Sequence, residues 1–231
     1  MTSEQLAWDD GRQGEQTLHD ASSGCPHLWQ RVVRLAPAQR WDGEPGDGDE
    51  TLFVLTGGGL LVMGGAGHDV EPEAAAHVPA GVAYTLESGG EELAFVVVRA
   101  PGPGGEGGGA VLRLGDQEDQ AATADRQFRL LADPRVGCVG VTQFVGEIPV
   151  GRAPDHYHHY DEVIYVLEGT GVLHLGDRHD PVGPGAAIHL NARQVHSLEN
   201  SGPGPMRVLG VFRPAGSPSE AYYPDGTLAT Y

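Results

Sequence analysis

Lysine is missing from the chain altogether. Schiff-base and pyridoxal chemistry are thereby excluded, as is any phosphate loop of the GxxxxGK type. Cysteine is nearly missing too. Cys25 and Cys138 are too few for a zinc cluster or a disulfide framework, and both are expected as reduced, buried thiols. Positive charge is scarce, with 14 arginines against 32 acids and a formal net charge of −18. Nucleic acid and anionic membranes are therefore excluded as partners, since phosphate binding needs a basic patch. No apolar run reaches the length of a membrane span, and the opening MTSEQLAWDDGRQGEQ is acidic rather than signal-like. A cytoplasmic protein is expected.

What the chain has in excess is turn residues. Its 36 glycines and 17 prolines punctuate many short apolar runs, the pattern of turn-rich antiparallel β-structure. A length of 231 residues accommodates one large domain or two small ones.

The segment GRAPDHYHHYDEVIYVLEGTG, residues 151 to 171, carries the chemistry. His156 and His158 are i and i+2, so on an extended strand both imidazoles point to one side, about 6 to 7 Å apart. One metal ion can bridge that gap. Glu162 opens the β-branched and aromatic run that follows, and a short turn brings its carboxylate to the same ion. His196, in IHLNARQVHSLENSG, is the fourth candidate. Three neutral imidazoles and one carboxylate leave two positions open in an octahedral metal, which suits binding of substrate or dioxygen. His159 faces outward on a regular strand, and His174 and His189 are expected on a pocket wall or at the surface.

These residues resemble the two motifs of the cupin superfamily. Gly151, His156, His158, Glu162 and Gly169 fill the first, with one residue fewer than usual before the first histidine. His196 and Asn200 match the second, although Asn191 stands where proline is usual and Arg193 where glycine is usual.

An internal repeat extends the resemblance. A shift of 112 residues lays Glu50 to Ser88 over Glu162 to Asn200 with 15 identities in 39 positions and no gap, the mark of a duplicated domain. The same shift carries His156, His158 and His196 onto Glu44, Gly46 and Tyr84, so only the glutamate, as Glu50, recurs. The first copy is accordingly expected to lack a transition-metal site, with a carboxylate-only site from Glu44 and Glu50 as the lesser alternative. His189 recurs as His77, which suggests packing in both copies.

The expected fold is all-β, two tandem cupin (double-stranded β-helix, jelly-roll) barrels. An N-terminal arm takes residues 1–24 and the first barrel 25–100. A connecting segment takes 101–134, with the glycine-rich APGPGGEGGGA, residues 100 to 110, at its start. The metal-binding barrel takes 135–214, and a tyrosine-bearing tail, 215–231, lies across a barrel surface. The resemblance further implies a pocket walled by inward-facing residues, with Gln143 or Phe144, Arg152, Gln194 and Arg207 as candidates; Tyr165 has the parity of the opposite face. It implies one divalent ion per chain (Fe, Mn, Ni, Cu or Zn) and a small-molecule substrate. A dioxygenase-type oxidoreductase is the first expectation. A Lewis-acid isomerase, decarboxylase, cyclase or aminohydrolase is the second, and a non-catalytic ligand- or metal-binding cupin the third. Exposed sheet edges, the arm and the tail lead to the expectation of a homodimer.

Overall fold

Alternation along the run after Glu162 sets the architecture. Ile164 and Val166 point into the second barrel, while Val163 and Tyr165 point out of it and are nonetheless buried. A strand apolar on both faces must be covered on both, and here the outer cover is the other repeat. The computed structural model describes residues 14–44, 46–122 and 125–229.

The first unit supplies β1 (Gly14–His19), β2 (Trp29–Leu35), β3 (Arg40–Gly43), β4 (Glu50–Thr56), β5 (Gly59–Met63), β6 (Ala66–Val70), β7 (Ala74–Val78), β8 (Tyr84–Ser88) and β9 (Leu93–Arg99). The connecting stretch adds β10 (Ala110–Arg113) and β11 (Gln120–Ala121). The second unit supplies β12 (Gln127–Leu130), β13 (Thr142–Ile148), β14 (Gly151–Arg152), β15 (Asp161–Glu168), β16 (Gly171–Leu175), β17 (Arg178–Val182), β18 (Ala187–Leu190), β19 (Ser197–Asn200) and β20 (Met206–Arg213).

Each unit folds as one large and one small antiparallel sheet; the small sheets share one strand order, and the large ones share it over β1-β2-β9-β4-β7 and β12-β13-β20-β15-β18. The large sheets run β1-β2-β9-β4-β7-β10 and β11-β12-β13-β20-β15-β18; the small ones run β3-β8-β5-β6 and β14-β19-β16-β17. Strand by strand, β4 answers to β15, β9 to β20, and β8 to β19. The protein is therefore all-β, two tandem jelly-roll barrels, with no α-helix among the described residues. Among these residues no helix is long and apolar enough to cross a membrane.

Two positions show how the repeat is kept in three dimensions. Gly57 and Gly169, 112 residues apart, both take positive φ, 74° and 82°. A Cβ on Gly57 would lie 1.9 Å from the Glu92 carbonyl oxygen, and one on Gly169 would lie 2.8 Å from Met206 Cα. Only glycine makes these turns without strain or clash.

Each barrel has its own apolar filling, Leu52, Val54, Leu86 and Phe95 in the first and Ile164, Val166, Leu198 and Val208 in the second. A third cluster joins them back to back, with Val32, Phe53 and Val96 packed against Val163, Leu209 and Val211. At about 1.5–3 kcal/mol for each fully buried aliphatic or phenyl side chain, this seam is a major part of the fold. Asp49 fixes it at one end. Its buried carboxylate accepts from the Gly105 and Gly140 amides, both at 2.7 Å, and lies 2.8 Å from His77 Nε2. Cys138 is beside this group, and both cysteines are free and buried.

The expected arm and connecting segment both contain strands. The described part of the arm contains β1, which pairs with β2 and touches β18 of the other unit. The segment 101–134 is more than a linker, because β10 extends the first large sheet and β11 and β12 the edge of the second. Arm and tail both have work within the chain: β1 closes a sheet, and the tail bridges to the second barrel through Tyr157 and Tyr222.

Candidate metal centre

His156, His158 and His196 come together as expected from their spacing. All three are buried, and one ring nitrogen from each lies within 4.8 Å of the others. His156 and His196 pair as an isolated antiparallel bridge, each amide donating to the other's carbonyl at 3.0 and 2.8 Å. The HxH stretch is thus stitched to the strand entry of β19, and the rings sit 4.6 Å apart.

The rings are also oriented. His156 Nδ1 lies 2.9 Å from the Pro154 carbonyl, His196 Nδ1 2.9 Å from the Gln194 carbonyl, and His158 Nδ1 2.7 Å from the Glu220 carbonyl. A carbonyl only accepts, so each Nδ1 carries the proton and each Nε2 keeps its lone pair for the centre. Burial pushes all three imidazoles below their ordinary pKa, His158 to about 4, so they are neutral at neutral pH.

Glu162 faces the same cavity from β15 but lies outside the three-histidine group. Burial pushes its carboxyl up to about 8 against the pull of Arg126, and it hydrogen-bonds to no protein group among the described residues. Three oriented neutral nitrogens beside a buried carboxyl that ionises readily once a cation is near it are the donor set of a divalent ion. The residues present fit such an ion.

The cavity together with the solvent-open space at its mouth measures about 730 Å³. Its walls are largely apolar, including Phe128, Phe144, Ile164, Leu190 and Val208. Tyr160 stacks on His158 at 4.6 Å and on Phe212 at 3.9 Å, with rings 8° and 18° from parallel. Pro218 and Ala221 of the tail close part of the rim.

The other expected wall residues lie elsewhere. Of the pair on β13, Phe144 points in and Gln143 points into the seam, where its Nε2 approaches the Leu52 carbonyl of the first unit at 3.4 Å. Arg152 is exposed and pairs with Asp155 at 2.6 Å. Gln194 turns its side chain to the Asn191 amide, so that only its carbonyl serves His196. Arg207 reaches outward from β20 to Glu168 and Glu73, bridging the two units. Period-2 geometry explains Arg207: on β20, Val208 faces the barrel, so its neighbour cannot. Tyr165 and His159 face away as their parity requires, His174 pairs with Glu199 at 2.7 Å, and His189 meets His19 across the seam with rings 5.9 Å apart.

Tyr160, Arg126 and the Glu220 carbonyl were not anticipated. Tyr160 shares the parity of His158 and Glu162, a signal that was available in the sequence. Arg126 and Glu220 carried none, because each reaches the site from a loop distant in sequence.

A cupin domain model matches residues 144–212. An L-ectoine synthase of Mycolicibacterium gilvum is 34% identical over 104 residues, which are 43% of this chain and 76% of that enzyme. The chain belongs to the cupin superfamily. An uncharacterized protein of Methanocaldococcus jannaschii is 34% identical over 74 residues, 30% of this cupin and 59% of that protein. An L-ectoine synthase of Bordetella petrii is 33% identical over 84 residues, 35% of this chain and 62% of that enzyme. The match thus spans about three fifths of the length of these last two relatives. Among solved structures, a deletion variant of Bacillus subtilis oxalate decarboxylase superposes with a TM-score of 0.70 at 15% identity, covering 88% of this chain and 74% of that one. Lactobacillus farciminis oxalate decarboxylase in a formate complex gives 0.72 at 14% identity, covering 89% and 83%. At such identity these two speak for the fold alone.

Proposed function

We propose that the second barrel houses a metal-dependent enzyme acting on a small organic molecule. His156, His158 and His196 hold one divalent ion, with Glu162 completing the set. The observation that carries this reading is the convergence of three tautomer-fixed imidazoles inside an open, largely apolar cavity. When bound, such an ion polarises a substrate oxygen as a Lewis acid or, if redox-active, supports dioxygen chemistry.

The chain's own residues do the rest. Three carbonyls hold the histidine rings, Phe128, Phe144 and Tyr160 exclude water, and the tail narrows the entrance. Apolar walls strengthen every charge interaction with the reacting molecule.

We take a dioxygenase-type oxidoreductase as the first reading, since three histidines and one carboxylate leave room for a substrate and a small co-substrate together. A Lewis-acid isomerase, lyase or hydrolase is the second, and the similarity to L-ectoine synthases, whose name is not that of an oxidoreductase, supports it. Oxygen uptake by the Fe(II)-loaded protein with enolic or phenolic compounds supports the first. Turnover under nitrogen with Zn(II) or Mn(II) supports the second and refutes the first. A small molecule bound and recovered unchanged would instead make the protein a non-catalytic binder.

A further inference from the structure

One charged group in the cavity has no partner suited to it. Arg126 precedes β12, on the hairpin loop closed by the Ala122 amide donating to the Arg126 carbonyl at 2.8 Å. Its side chain is half-buried and lines the cavity together with the three histidines and Glu162. Its Nη2 donates to the Leu198 carbonyl at 2.6 Å, which anchors the guanidinium two residues from His196. Among the described residues it makes no other hydrogen bond, and no carboxylate lies within ion-pair distance. Arginine carries five N–H donors in a planar fork, so most of that fork is uncommitted.

A cation held this way is costly. Burial lowers Arg126 to about 10, with Glu162 pulling the other way, so the group stays charged at neutral pH. An uncompensated guanidinium among Phe128, Phe144 and Ile148 is stabilised by an anion that enters beside it. Glu162 cannot serve both roles once its charge is shared with a divalent ion. The residue also belongs to the second barrel alone, because the 112-residue shift puts Gly14 in its place.

We propose that Arg126 is the substrate-recognition residue of this cavity and that the substrate is a small organic acid, its carboxylate paired with the guanidinium fork and its reacting end directed to the three histidines. A carboxylate suits the fork geometrically as a bidentate, singly charged partner. A phosphate would require further donors, and among the described lining residues Arg126 is the one arginine. This assignment deepens the metal-enzyme reading and rests on it for the orientation of the substrate, while the anion contact itself needs only Arg126.

Calorimetric titration of the metal-loaded protein with acetate, pyruvate, benzoate and succinate, each beside its neutral amide, tests the assignment. At least one acid should bind ten times more tightly than its amide, and Arg126→Met should remove that preference, while Arg126→Lys retains part of it. Elemental analysis of the same samples should show metal content unchanged in both variants, which shows that the site is still folded. If no acid binds better than its amide, if Arg126→Met leaves the preference intact, or if inorganic phosphate displaces every acid, the assignment is overturned. Repeating the titration on His158→Ala separates the two readings: acid preference surviving without metal would uphold Arg126 even where the metal reading fails.

Discussion

Glu50 and Glu162 occupy the same place in two barrels of the same topology, and what faces each across the sheet is opposite in character. Glu50 pairs in register with Arg99 of β9, and Glu162 with Phe212 of β20. In the first barrel Arg99 Nε donates to Glu50 at 2.5 Å, the Tyr84 hydroxyl donates to the same carboxylate, and Arg99 Nη2 donates to the Glu44 carbonyl at 2.7 Å. Tyr84 stands where the second barrel has His196. Gly46 stands where it has His158, and a Cβ there would lie 3.1 Å from Arg99 Nε. Trp41 packs on Tyr84 with ring centres 5.6 Å apart and lies edge-on to Phe95 at 5.5 Å. The comparison teaches that one buried glutamate position can be given two different surroundings. The first barrel gives its glutamate an ion-paired arginine; the second gives Glu162 no ion-pair partner among the described residues, with Arg126 acting from farther off, and sets it beside three free imidazole lone pairs.

The sharpest way to break the comparison is metal stoichiometry. Elemental analysis should give one divalent ion per chain, falling to none in His158→Ala while circular dichroism and the unfolding transition persist, because the core is apolar and independent of the ion. Two ions per chain, both lost in that variant, would end the asymmetric reading.

Next in size is the internal cation of the first barrel. Arg99→Met strands a buried carboxylate and should destabilise the protein by roughly 3–5 kcal/mol, whereas Arg99→Met combined with Glu50→Gln should recover much of that loss. Denaturant unfolding measures both. Equal losses in the single and double variants would show that the pair is not what fills the site.

The smallest effect compares turns. Arg193 holds a φ of 63° just ahead of His196, and its counterpart under the 112-residue shift is Gly81 with a φ of 75°. A left-handed conformation costs an L-residue about 1–2 kcal/mol, so Arg193→Gly should raise stability by roughly 1 kcal/mol or less once the entropy of glycine is deducted. A loss of stability would mean that the Arg193 side chain, 3.3 Å from His159 Nδ1, holds the turn.

The same position shows what local pattern can and cannot convey. The histidine spacing, the shift of 112 residues and the missing ligands of the first copy could all be read from the chain, because each depends on strand parity or direct alignment. The Asn191–Arg193 departure left the turn before His196 open. The turn forms all the same, with Arg193 donating its amide to the His158 carbonyl at 2.6 Å. Tertiary hydrogen bonding overrode the residue preference there. Gln143 and Phe144 posed the reverse problem: parity said that only one of them could face the cavity, and only the packing of the second barrel against the first decided which.

By itself, then, the sequence determined the class of fold, its duplication and the histidines of one asymmetric centre, since alternation and periodicity are properties of neighbours along the chain. Only the tertiary structure decided that Arg126 enters the cavity from the connecting hairpin, that the Glu220 carbonyl of the tail orients His158, and that Arg99 pairs with the buried Glu50 in the first barrel. These contacts join residues 49 to 72 positions apart, on elements whose meeting is set by how two barrels pack and how loops fold over their mouths. No local pattern records them, because the energy that fixes them is the burial of surfaces that are distant in sequence.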